Sequence, residues 1–124
     1  MNKRKIKVKG EVVEGIGKGA FFLSLEPYKS FFKGLLGKEP YPGTLNVKLD
    51  KNWDEYITLP NTFNPAGYGG ISYALGSING IKVVVIRPHK SKHPKNIIEI
   101  VSDKFLRGAL NIVNGKKIEF EIFV

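Results

Sequence analysis

Asn79-Gly80 stands between two short apolar runs, 71–76 and 81–86, and Asn114-Gly115 precedes a further alternating run at 118–124. Asn-Gly between such runs is the strongest short-range hairpin signal, because both residues accept the positive φ that a tight two-residue β-turn demands. The same punctuation recurs at Pro40-Tyr41-Pro42-Gly43, after which Leu45, Val47 and Leu49 alternate with Thr44, Asn46 and Lys48. Residues 6–13 read as a first strand. Phe21, Leu23 and Leu25 alternate with Phe22, Ser24 and Glu26 as a second, and Ile97, Ile98, Ile100 and Val101 make a buried strand that also carries Glu99. Helical spacing is confined to 28–36, where Phe31/Leu35 and Phe32/Leu36 share a face between Pro27 and Gly37, and to about 104–110, with Asp103 as its expected cap. Residues 61–70 read as a loop, and the polar, basic segment 87–96 as a mobile one. Six or seven short strands with one or two short helices favour a mainly β fold closed into a barrel, since closure leaves no long edge unpaired.

A chain of 124 residues folds as one domain, taken as 1–124, and has no room for a second. No apolar stretch approaches the roughly 20 residues of a membrane helix, and the basic start Met1–Lys7 does not run into the apolar segment of a signal peptide. A cytoplasmic monomer with no membrane contact is expected. The absence of cysteine excludes disulfides, thiolate metal sites and a cysteine nucleophile. The net charge of +9, from 20 Lys and Arg against 11 Asp and Glu, points to an anionic partner, although solvated surface lysines account for it equally well.

Two segments carry chemistry. In Gly15-Ile16-Gly17-Lys18-Gly19-Ala20, glycines at alternate positions let consecutive backbone N–H groups turn toward one anion. The run is expected to join two strands. That placement argues against the nucleotide-binding loops whose glycines open a helix, and Lys18 is not followed by Ser or Thr as the Walker pattern requires. Thr44 and Asn46 lie two apart on a strand, on the face opposite its apolar set. A hydroxyl and an amide carbonyl are neutral oxygen ligands, which suit magnesium when nucleotide phosphates supply the charge. Phosphoryl transfer would join the two segments.

Several separated segments resemble, in order and spacing, the archaeal CTP-dependent riboflavin kinases. They are Gly10–Gly19, Phe22-Leu23-Ser24-Leu25 with Pro27-Tyr28, Tyr41-Pro42-Gly43-Thr44-Leu45-Asn46, Ile97-Ile98-Glu99-Ile100, and Leu106-Arg107. The resemblance implies a six-stranded closed barrel of the cradle-loop type, with CTP as phosphoryl donor, riboflavin as acceptor, and CDP and FMN as products. By position it implies that Gly15, Ile16, Gly17, Lys18, Gly19 and Ala20, together with Lys104, Phe105, Leu106 and Arg107, bind the nucleotide. Thr44 and Asn46 would hold one Mg2+ ion with that nucleotide. Ser91, where the family usually shows threonine, and Glu99 would contact the flavin. Glu99 could accept the proton of the attacking hydroxyl or only fix the ribityl chain by hydrogen bonds. Some relatives carry an N-terminal DNA-binding domain; this chain starts at the barrel, so none is expected here.

The competing reading is a small basic barrel that grips single-stranded nucleic acid without catalysis. It would use the Lys-rich first strand with Tyr28, Phe31, Phe32, Tyr41, Tyr56 or Tyr68 as stacking surfaces. Such a binder needs neither a Thr-x-Asn pair nor a glutamate on a buried strand, so nucleic acid is the less favoured partner.

Overall fold

Alternating runs separated by turns become antiparallel strands wrapped into a ring. A computed structural model describes residues 4–15 and 19–124. Its elements are β1 (Lys5–Val13), α1 (Gly19–Ser24), α2 (Tyr28–Leu36), β2 (Leu45–Lys48), α3 (Trp53–Tyr56), β3 (Asn61–Phe63), β4 (Ile71–Ile78), β5 (Ile81–Pro88), β6 (Ile97–Val101), α4 (Leu106–Ala109) and β7 (Lys117–Phe123). The order β4-β5-β6-β2-β1-β7 closes on itself where Gly76 and Ser77 of β4 pair with Ile122 and Glu121 of β7, so six strands form the barrel. The seventh, β3, pairs with the other half of β4, through Ile71–Tyr73, and covers the edge that β7 leaves open. The Asn79-Gly80 turn has the expected positive φ at both residues, 48° and 79°.

Two apolar clusters share one wall. Val8, Val12, Val47, Val85, Ile98 and Phe120 fill the barrel interior. On the outside, Val84, Ile86, Val101 and Ile71 meet Leu23 of α1 and Tyr28 and Phe32 of α2. From Val83 on, β5 is therefore buried on both faces, which explains why Val83–Ile86 reads as a continuous apolar run rather than an alternating one. Phe32 is fully buried, and removing it from water stabilises the docked helix by roughly 2–3 kcal/mol. α2 stops at Gly37, whose left-handed φ of 82° lets its N–H bond the Lys33 carbonyl at 2.8 Å.

Several expectations are corrected. The stretch after the glycine run is the helix α1, not a strand, so the run leads into a helix after all. Phe21, Phe22, Leu23 and Leu25 put apolar residues in both phases of a strand, and docking on the barrel wall selects the helix, burying Leu23 and leaving Phe21 exposed. Four short helices are present rather than two, α3 being unanticipated, and residues 61–70 contain β3. Asp103 does not cap α4, which has no side-chain cap; the Ser102 hydroxyl accepts from the Lys104 N–H in the turn ahead of it, at 3.1 Å. No helix among the described residues is long and apolar enough to cross a membrane.

Candidate active site

The outer face of β2 meets the outer face of β6 at one register position, Asn46 opposite Glu99. Just before β2, the Thr44 hydroxyl donates to Glu99 Oε1 at 2.8 Å, so three polar side chains from two strands converge on one spot of the barrel wall. Asn46 faces away from the interior as its alternation requires, yet it is only 5% exposed. The cover is backbone: a Cβ at Gly15 would collide with the Asn46 amide, and one at Gly19 would lie 2.9 Å from the Thr44 nitrogen and 3.0 Å from its hydroxyl. Glycine at 15 and 19 is thus a requirement of close approach to this pair. Gly15→Ala is expected to displace the Asn46 side chain and lower turnover by about tenfold or more, with little change in the barrel's melting temperature; steady-state kinetics and thermal denaturation check both.

Asn46 Oδ1 is buried and has no hydrogen-bond partner among the described residues, while its Nδ2 makes only a long, 3.5 Å contact with the Thr44 carbonyl. Leaving a buried acceptor unsatisfied costs about 1–3 kcal/mol, so the atom is waiting for a donor or a cation. Thr44 Oγ1 spends its proton on Glu99 and keeps its lone pairs free. These oxygens fit a hard cation of the magnesium kind.

The three residues line a cleft of about 570 Å3. Gly15, Gly19, Ala20 and Phe22 form one side, and the Gly69-Gly70 loop with Tyr28 forms another. The arm between β5 and β6 supplies Pro88, Lys90, Ser91, Lys92 and His93. Tyr28 donates to the Gly69 carbonyl at 2.5 Å, and burial, with Tyr68 nearby, pushes its phenol above the ordinary value against the pull of that hydrogen bond. A second pocket of about 150 Å3 adjoins on the other side of Thr44, between Tyr41, whose ring stacks on Phe105 at 5.0 Å, and the segment Ser102–Arg107. Arg107 borders both cavities and is held by Asn114 Oδ1 at 2.7 Å and the Val13 carbonyl at 3.3 Å. Among the described lining residues Lys90, Lys92 and Arg107 face Glu99 alone, a charge balance that favours an anionic ligand.

Gly15, Gly19, Ala20, Thr44, Asn46, Ser91, Glu99 and Arg107 all line the main cleft, and Lys104, Phe105 and Leu106 join Arg107 in the second pocket. Leu106 is buried, so it can offer a ligand little but backbone. Ile16, Gly17 and Lys18 lie outside the described residues. Sequence reasoning missed the Gly69-Gly70 wall, for which the doubled glycine was the available signal, and the contribution of Phe22, Tyr28 and Lys90. The stacking surfaces required by the nucleic-acid reading are mostly spent inside the protein. Phe32 is buried, Tyr28 is covered except where it lines the cleft, Phe31 stacks on Phe63 at 3.9 Å, and the Tyr56 hydroxyl accepts from the Lys9 N–H. Lys7 and Lys9 of the basic first strand lie opposite Glu121 and Glu119 of β7, and Lys9 pairs with Glu119.

A closed barrel whose outer wall, beneath a glycine-lined cover, carries a buried amide oxygen without a partner among the described residues, between two cavities, has the form of a small-molecule-binding domain. The chain belongs to the family described as CTP-dep_RFKase (Domain of unknown function DUF120), whose model matches residues 12–122. A protein named riboflavin kinase from Pyrobaculum aerophilum is 38% identical over 99% of this chain and 63% of its own length. One of the same name from Staphylothermus marinus is 38% identical over 95% of this chain and 92% of its own. A third, from Methanococcus aeolicus, is 35% identical over 94% and 98%. The chain therefore spans a little under two thirds of the Pyrobaculum relative and nearly all of the other two.

Proposed function

We propose that the protein is a riboflavin kinase that takes its phosphoryl group from CTP. The observation that carries this reading is the buried Asn46 Oδ1, without a partner among the described residues, beside Thr44 and Glu99 at the junction of a large cavity and a small one. The larger cavity offers Phe22, Tyr28, Ile71 and Pro88 to an apolar ring system such as the flavin. The smaller, closed by the Tyr41–Phe105 stack, suits a single-ring base. The phosphates would then cross Thr44 between them, near Arg107.

Thr44 and Asn46 would hold a Mg2+ ion, which when bound neutralises phosphate charge and draws electron density from the phosphorus. The chain's own residues do the rest. Gly15, Gly19 and Ala20 bring backbone against the triphosphate, and Arg107 offers a fixed positive charge. Ser91 and Glu99 hold the ribityl chain so that its terminal hydroxyl lies in line with the γ-phosphorus. The hydroxyl oxygen bonds to phosphorus, the bond to the β,γ-bridging oxygen breaks, and CDP leaves with that electron pair. The hydroxyl proton passes along its hydrogen bond to Glu99.

Calorimetric titration tests the donor assignment. CTP is expected to bind at least about tenfold more tightly than ATP, and to weaken markedly when magnesium is removed. Equal affinity for the two nucleotides would sink the cytidine assignment, and indifference to magnesium would sink the metal site.

A further inference from the structure

Arg87 is the one charged side chain among the described residues that the structure buries, at 9% exposure. It continues the register of Val83 and Val85 on β5, so it points toward the end of the barrel interior and not into the cleft. Its hydrogen bonds go to main-chain carbonyls: Nη1 donates to Pro94 at 2.9 Å and to Ile97 at 2.7 Å, and Nη2 to His93 at 3.0 Å. Burial pulls its pKa down and Glu99 partly restores it, and a guanidinium keeps its proton at neutral pH. Burying a charge costs several kcal/mol, so its retention against three neutral acceptors calls for a return beyond packing.

Two of the acceptors, His93 and Pro94, lie where the chain travels from β5 to β6, and the third, Ile97, opens β6. That arm, expected from its composition to be mobile, is tied at its ends by the His89 N–H on the Gly70 carbonyl and by the Lys95 and Asn96 carbonyls, which accept from Trp53 and Leu49, and Arg87 gathers the stretch between them at His93 and Pro94. The arm also places Lys90, Ser91 and His93 on the cleft, and within it the Ser91 hydroxyl accepts from the His93 N–H at 3.1 Å. His93 is thus held at its carbonyl by Arg87 and at its amide by Ser91. The described donor-side groups, Gly15, Gly19, Ala20 and Lys104–Arg107, lie outside this arm.

We infer that Arg87 is a positioning residue for the acceptor: by fixing the arm 88–96 it presents Ser91 to the flavin substrate, without serving the nucleotide. The inference rests on the kinase reading above. Arg87→Lys and Arg87→Met, assayed against both substrates, are expected to raise the KM for riboflavin by about tenfold or more, leave that for CTP within about twofold, and show partial recovery in the lysine variant. Unchanged constants, or both moving together, would overturn it. Because the methionine variant risks misfolding, amide exchange supplies a second arm on wild-type protein and Arg87→Lys. Riboflavin alone should slow exchange across 89–97 in wild type and do so less in the variant, with CTP alone having no such effect; protection by CTP alone, or protection by riboflavin that is identical in the variant, contradicts the inference. Exchange needs no turnover, so wild-type protein that makes no FMN from any nucleotide condemns the kinase reading while the exchange arm still judges Arg87.

Discussion

Replacing Asn46 with leucine is expected to leave the protein as stable as before, or up to about 1–3 kcal/mol more stable, and to remove most of its phosphoryl transfer. The two effects have one cause. Asn46 is nearly inaccessible, its Oδ1 has no partner among the described residues, and its Nδ2 has only a 3.5 Å contact, so as a structural residue it is a liability. Leucine has the branched outline of asparagine, with methyls bulkier than the amide, and removes the unsatisfied acceptor. If the amide oxygen holds the cation of the donor complex, its loss should lower kcat by about 100- to 1000-fold, the range found when one preorganised electrostatic partner is deleted. Denaturant unfolding and turnover measured on the same preparation decide it. A clear loss of stability with turnover intact would make Asn46 structural and leave the metal site without support.

Glu99→Gln is expected to lower turnover by about 100-fold, the lower range for a positioned acid or base, while the affinity for CTP stays within a factor of two. Glutamine retains Oε1, so the 2.8 Å hydrogen bond donated by Thr44 can survive and the donor side keeps its shape. What disappears is the negative charge and its ability to take a proton from the acceptor hydroxyl. Wild-type turnover in this variant would remove Glu99 from the mechanism. Equal losses in donor affinity and in kcat would mean that it acts only by holding Thr44.

Much of this was legible in the sequence because it was written in side-chain alternation. Leu45/Val47, the run Ile81–Ile86 and Ile118–Val124 announced strands, and the Asn79-Gly80 turn fixed one hairpin. Phe32 and Leu36 with Gly37 announced α2. Thr44, Asn46 and Glu99 could be singled out, but their meeting could not. It depends on the β2–β6 register, which sets Asn46 opposite Glu99 and brings Thr44 to a residue 55 positions away. Where packing decides between two local options, as for Phe21–Leu25, pattern favoured the wrong one. α3 spans four residues and β3 three, too short for any period to show, and β3 exists because β4 offers it an edge. Arg87 was hidden for another reason: its partners are backbone carbonyls, which leave no mark on residue identity. The burial of Asn46 was missed because its lid is made of glycines, which were read only as an anion cradle.

Riboflavin phosphorylation by purified protein in the presence of Mg2+ is the most direct measurement, with CTP, ATP, GTP and UTP compared as donors and FMN separated from riboflavin by chromatography. FMN formed chiefly from CTP, and lost when Thr44 and Asn46 are both changed to alanine, is the predicted result. Folded protein that yields no FMN from any donor would contradict the assignment of this barrel as a riboflavin kinase, and equal yields from all four would contradict its dependence on CTP.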